Sequence, residues 1–108
     1  MRLGTIDLGS SSLHLWVVDL ADGRRETVHL ERAGLRLIRR WAADGPCLDQ
    51  QVATRALASI EAMVARCEEL GCDHVQIAAT AAVREAPDHP SFCDRVQEHT
   101  GVEVRVLS

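Results

Sequence analysis

The chain contains no lysine and no tyrosine. All twelve basic residues are arginine, and sixteen acidic residues bring the net charge to −4 over 108 residues. A domain of that sign offers no basic face for non-specific binding to DNA or RNA. It does not exclude a small anionic ligand, because backbone dipoles and a single arginine can hold phosphate against the global charge. Aromatic residues are scarce, with only Trp16, Trp41 and Phe92 present, which removes a base-stacking platform for single strands. The four cysteines, Cys47, Cys67, Cys72 and Cys93, form no C-x-x-C pair and fit no Cys/His zinc spacing. They read as reduced and mostly buried. No apolar run approaches the ~18 residues of a membrane helix, and Met1-Arg2 leads straight into strand-like sequence without a signal-peptide pattern. A cytoplasmic protein with no membrane partner is expected. The chain is 46% apolar, enough for one packed domain spanning residues 1–108.

Hydrophobic patterning divides the chain into seven elements. Residues 2–8 and 13–20 read as strands from their β-branched and bulky apolar content. Asp22-Gly23 marks a tight hairpin into a third strand over about 26–32. Residues 49–70 carry a helical stripe of Val52, Ala56, Ile60, Met63, Cys67 and Leu70, widened by Ala53, Leu57 and Val64. Asp49 serves as its N-cap, and Gly71 as its left-handed stop. Residues 74–79 form a fourth strand. A helix over 88–100 follows, with Asp88 as cap, Phe92, Cys93 and Val96 facing inward, and Gly101 as stop. In residues 102–107, Val102, Val104 and Val106 alternate with Glu103 and Arg105, as in a strand. Between 33 and 48 the pattern is weaker. Arg32, Arg36, Arg39 and Arg40 cluster there around Leu35, Leu37, Ile38 and Trp41, before Gly45-Pro46 breaks the segment. That cluster reads either as a solvated face or as an arginine lip for an anionic substrate.

The order β-β-β-α-β-α-β describes an α/β fold of ribonuclease-H-like type. It has a mixed five-stranded sheet in order 3-2-1-4-5, with the fourth strand parallel to the central first. The loop after strand one and the segment after strand four then open at one sheet edge, where open α/β sheets place ligands.

Ile6-Asp7-Leu8-Gly9-Ser10-Ser11-Ser12 lies at that edge. One glycine and three hydroxyls leave the loop without side-chain bulk, so its N–H groups and hydroxyls can face one small anion. Asp7 is compatible with an anion site if a metal ion sits between the two charges. The same residues also suit an ordinary serine-rich hairpin turn. The second segment, Ala79-Thr80-Ala81-Ala82-Val83-Arg84-Glu85-Ala86, brings a hydroxyl at Thr80 and a guanidinium at Arg84 that can fork two phosphate oxygens. Thr-x-x-x-Arg alone is weak, and its placement opposite the first loop is what gives it weight.

These two segments together resemble the phosphate loops of the exopolyphosphatase/guanosine-pentaphosphate phosphohydrolase (Ppx/GppA) family. Residues 100–108 resemble the strand that leads toward that family's catalytic glutamates. The resemblance implies part of an actin-like ATPase domain whose closing helix is missing. It also implies hydrolysis of terminal phosphate from polyphosphate or guanosine pentaphosphate, with Mg²⁺. Gly9, Ser10, Ser11, Ser12, Thr80 and Arg84 would hold phosphate, and Asp7 would face metal-bound water. Ser11 and Pro87 each stand where the family usually has asparagine. The family's general-base glutamate is expected beyond Ser108, and Glu85 is not promoted to that role. No residue of the chain is therefore assigned as catalytic, and the 108-residue chain alone is expected to be inactive. The alternative is a non-catalytic module that binds phosphate ligands or a partner. A sheet face near strand five is expected to be partly uncovered, to meet a second copy in a homodimer or a continuation of the same chain.

Overall fold

The computed structural model describes residues 1–9, 11–36, 38–39 and 47–107. At the first hairpin, Asp22 (φ 52°) and Gly23 (φ 74°) both adopt positive φ, the conformation of a two-residue turn that matches strand twist. It joins β2 (Ser12–Ala21) to β3 (Arg24–Gly34), with Ala21 opposite Arg24. Strand β1 (Arg2–Leu8) lies antiparallel to β2, with Leu8 opposite Leu13. A short ribbon follows, β4 (Ile38–Arg39) with β5 (Cys47–Leu48). Leu37, Arg40, Trp41 and Gly45-Pro46 of the weakly patterned stretch lie outside the described residues.

Helix α1 (Gln50–Glu69) starts where the carboxylate of Asp49 accepts from the N–H groups of Gln51 and Val52. Its apolar stripe is buried as expected, from Val52 to Cys67. The chain then returns as β6 (His74–Ala79), parallel to β1 with Ile77 beside Ile6. A single turn, α2 (Ala81–Arg84), and helix α3 (His89–Thr100) lead to β7 (Val104–Val106), parallel to β6. The sheet order is β3-β2-β1-β6-β7. With the ribbon strands set aside, this is the expected 3-2-1-4-5 order.

One face of the sheet, carrying Ile6, Leu8, Leu13, Leu15, Ile77 and Val104, shares a single core with α1 and with Phe92 and Val96 of α3. The other face carries Trp16 on β2 and Leu30 on β3, 40% and 67% exposed. Arg25 stacks over the Trp16 ring at 5.0 Å. The uncovered apolar surface is therefore not confined to the strand-five edge. It lies largely across β2 and β3, because Trp16 and Leu30 are register partners on the outer face.

Asp88 departs from expectation. It occupies the N-cap position of α3 but makes no side-chain capping bond. Its carboxylate instead accepts from the Leu48 N–H at 3.1 and 3.3 Å and from Gln50 Nε2 at 3.3 Å, tying the α3 start to the approach of α1. Loss of these bonds would leave the Leu48 N–H without that acceptor. Asp88→Ala is therefore expected to cost about 1–2 kcal/mol, measured as a fall in denaturant midpoint. No change in midpoint would show that the tie carries no stability.

Candidate functional site

After β1 the chain turns back into β2. The Gly9 N–H donates to the Ser12 carbonyl at 3.0 Å, and the Leu35 N–H donates to the Ser11 carbonyl at 2.9 Å. A Cβ at Gly9 would lie 3.3 Å from the Ser12 oxygen, so the small residue permits the close return of the backbone. These bonds correct one expectation. The loop does not aim all its donors at a ligand, because the Gly9 N–H closes the hairpin. The Ser12 hydroxyl, too, has a partner in His14 Nε2 at 2.9 Å. Ser12 and His14 are two apart on one strand and so share a face. That periodicity was available in the sequence and would have found the pair. Ser10 lies outside the described residues.

The second segment meets the first through the backbone. Leu8 and Ala79 are register partners, and the next residue, Thr80, donates its N–H to the Leu8 carbonyl at 3.0 Å. Thr80 in turn accepts at its carbonyl from the Val83 and Arg84 N–H groups at 3.1 and 3.2 Å. That single turn presents Arg84 at an exposed position, while Val83 and Ala86 are buried in the core. Gly9, Ser11, Ser12, Thr80 and Arg84 thus all belong to the two segments that leave one edge of adjacent parallel strands.

Asp7 is exposed on the outer face, opposite His14 on one side and Ala78 on the other. Register extends this row to Arg32 beside His14 and to Arg105 beside Ala78. A carboxylate therefore stands in the middle strand of a row with an arginine two strands away on each side. Strand spacing sets each arginine backbone about 10 Å from that of Asp7. Arg32, the first of the sequence-level arginine cluster, joins Asp7, His14, Trp16, Leu30 and Glu31 around an open cleft of about 400 Å³. The placement of Asp7 in one row with Arg32 and Arg105 is not visible in the sequence, because it depends on strand order.

Two other carboxylates lie near the edge in space or sequence. Glu31 borders the cleft, but it accepts from His29 at 2.6 Å and from Arg66 at 3.0 Å. The His29 hydrogen bond, opposed by desolvation and aided by Arg66, holds its carboxyl below the usual carboxylate range. A carboxylate so stabilised is a weak base and acts as a structural tie. Glu85 is exposed on the turn after α2. Among the described residues no group of three or more His, Cys, Asp or Glu side chains is placed to hold a metal ion. Asp7 alone suits a Mg²⁺ ion that keeps waters and takes its remaining ligands from phosphate, which is how that ion is commonly held. It does not suit a cage made only of protein groups.

Comparison with known proteins shows what the chain is similar to. The sequence model of the Ppx/GppA phosphatase family matches residues 16–108. The chain is 33% identical over 108 residues to exopolyphosphatase 1 of Mycobacterium leprae, covering 99% of this chain and 32% of that protein. It is 26% identical over 102 residues to the guanosine-5′-triphosphate,3′-diphosphate pyrophosphatase of Photobacterium profundum, covering 94% of this chain and 20% of that protein. The fold superposes on the solved structure of the Aquifex aeolicus PPX-GPPA enzyme with a TM-score of 0.92 at 24% identity, covering 99% of this chain and 36% of that one. The chain thus spans a third or less of the length of these curated relatives. The family match begins after the Gly9–Ser12 loop, whereas the mycobacterial relative aligns with almost the whole chain.

Proposed function

This chain belongs to the Ppx/GppA phosphatase family, and from that premise we propose that it supplies the phosphate-gripping part of a hydrolase that removes terminal phosphate from polyphosphate or guanosine pentaphosphate. One contact carries the reading. The Thr80 N–H to Leu8 carbonyl bond joins the two loops into one edge, so that a single phosphate chain can meet both. In this role the N–H groups and hydroxyls around Ser10, Ser11 and Ser12 bind bridging and terminal oxygens. His14 orients the Ser12 hydroxyl through their 2.9 Å contact. Arg84 forks two oxygens of the next phosphate, with Thr80 donating to a third. Asp7 would hold Mg²⁺, which would supply positive charge between its carboxylate and the phosphate. A cytoplasmic location is part of the same proposal, and no helix among the described residues is long and apolar enough to cross a membrane.

The general base is assigned outside these residues, because Glu31 is tied in an ion-pair network and Glu85 sits on an exposed turn. The same observation favours a second reading, a module that binds phosphate ligands without turnover. Binding and phosphate release are therefore measured together. With Mg²⁺ present, the 108-residue chain is expected to retain labelled polyphosphate and to release no phosphate from polyphosphate or guanosine pentaphosphate. Phosphate release would overturn the placement of the base. Failure to retain polyphosphate would overturn the site itself.

A further inference from the structure

Helix α1 ends in a six-residue closed turn. Gly71 adopts φ 72°, its N–H donates to the Glu68 carbonyl at 3.1 Å, and the Cys72 N–H donates to the Cys67 carbonyl at 3.0 Å. In this motif the first and last residues face each other, and their side chains are commonly an apolar pair. Here both are cysteine. The backbone bond holds the two Cα atoms within roughly 7 Å, at or inside the separation a disulfide spans. The sulfurs also converge on one point of the sheet. A Cβ at Gly4 of β1 would lie 2.5 Å from Cys67 Sγ and 3.4 Å from Cys72 Sγ. The bare backbone at Gly4 therefore makes room for the pair.

The two thiols differ in access. Cys67 is fully buried and Cys72 half-buried. Burial, with the neighbouring Cys72 second, pushes the Cys67 thiol up to about 12, so it stays protonated at neutral pH. Arg2 donates to the Leu70 carbonyl on the same turn at 2.6 Å. An oxidant thus meets Cys72 first, with a second thiol gathered at the same point of the sheet behind it.

We propose that Cys67 and Cys72 form a site of reversible oxidative modification, closing to an intrachain disulfide by exchange with a low-molecular-weight disulfide such as oxidised glutathione. In the first step the Cys72 thiolate attacks one sulfur of the oxidant. A mixed disulfide forms and one glutathione thiolate leaves. In the second, Cys67 gives its proton to solvent or to the departing thiolate, and its sulfur attacks Cys72 Sγ. The second glutathione leaves as thiol. The protein loses two protons and two electrons in all, and the oxidant becomes two thiols. The site lies under Gly4 and the turn beside Arg2, toward the start of β1 and away from the phosphate loops at its far end.

The 108-residue chain is incubated with oxidised glutathione, quenched in acid and weighed intact. A mass loss of about 2 Da is expected, with a peptide linking Cys67 to Cys72 and full reversal by dithiothreitol. Cys67→Ser and Cys67→Ala should instead stop at the mixed disulfide, a gain of about 305 Da. Two variants guard against one that fails to fold, which far-UV dichroism reports. Cys72→Ser should show no loss of mass. A wild-type chain that keeps the glutathione adduct, that does not react, or that links through Cys47 or Cys93 overturns the proposal.

Discussion

Gly4→Ala is expected to destabilise the fold by about 2–3 kcal/mol, a large share of the 5–15 kcal/mol that holds a domain of this size. On backbone grounds alone the change should help, because alanine loses less conformational freedom in a strand than glycine and gains roughly 0.5–1 kcal/mol. The steric term has the opposite sign and is larger. The added Cβ would lie 2.5 Å from Cys67 Sγ, and Cys67 is fully buried, on a short side chain within the packed face of α1. The sulfur cannot retreat without moving the helix. Thermal and urea unfolding measure the loss, which should appear as a fall in Tm on the order of 10 °C. Cys67→Ala removes the colliding atom, so the double variant should be no less stable than Cys67→Ala alone. The coupling between the two sites should then be at least as large as the cost of Gly4→Ala alone, about 2–3 kcal/mol. Additive losses would show that the contact at Gly4 is not the cause.

Arg84→Ala is expected to weaken polyphosphate binding by about 10- to 100-fold, because a charge-assisted hydrogen bond to phosphate is worth roughly 1.5–3 kcal/mol. Arg84 is exposed and its neighbours Val83 and Ala86 hold the turn in the core, so stability should change by less than about 0.5 kcal/mol. Arg84→Lys should recover part of the affinity through charge but not the fork. Arg55, exposed on α1 outside both loops, is the control for charge alone, and Arg55→Ala should leave binding within about 2-fold. Equal losses in the Arg55 and Arg84 variants would mean that polyphosphate responds only to overall charge. Unchanged binding in Arg84→Ala would remove the second loop from the site.

These two experiments address different layers of the molecule. The Gly4 contact depends on helix-to-sheet packing, and no local pattern announces it. The Arg84 reading starts from a local motif and needs only the pairing of β1 with β6 to become specific. The remaining sequence-level arginine cluster shows the contrast again. Among the described residues of that group, Arg32 lines the cleft, because it is the register partner of His14. Arg36 is exposed beyond the end of β3.

Local chemistry determined the elements of this protein. The Asp22-Gly23 turn, the Asp49 cap, the buried stripe from Val52 to Cys67 and the left-handed stops at Gly71 and Gly101 each depend on residues within one or two turns of chain. Such signals survive in the sequence because the interacting groups are sequence neighbours. The two candidate phosphate segments, residues 9–12 and 80–84, were legible for the same reason. Tertiary structure alone decided how their groups are used. It committed the Gly9 N–H to the hairpin and drew Asp88 away from its own helix to Leu48. It tied Glu31, at the border of the cleft, to His29 and Arg66, which removed that carboxylate from consideration as a base. Each of these outcomes is a competition for hydrogen-bond partners. Where the winner lies across the sheet or on another helix, sequence spacing carries no record of it.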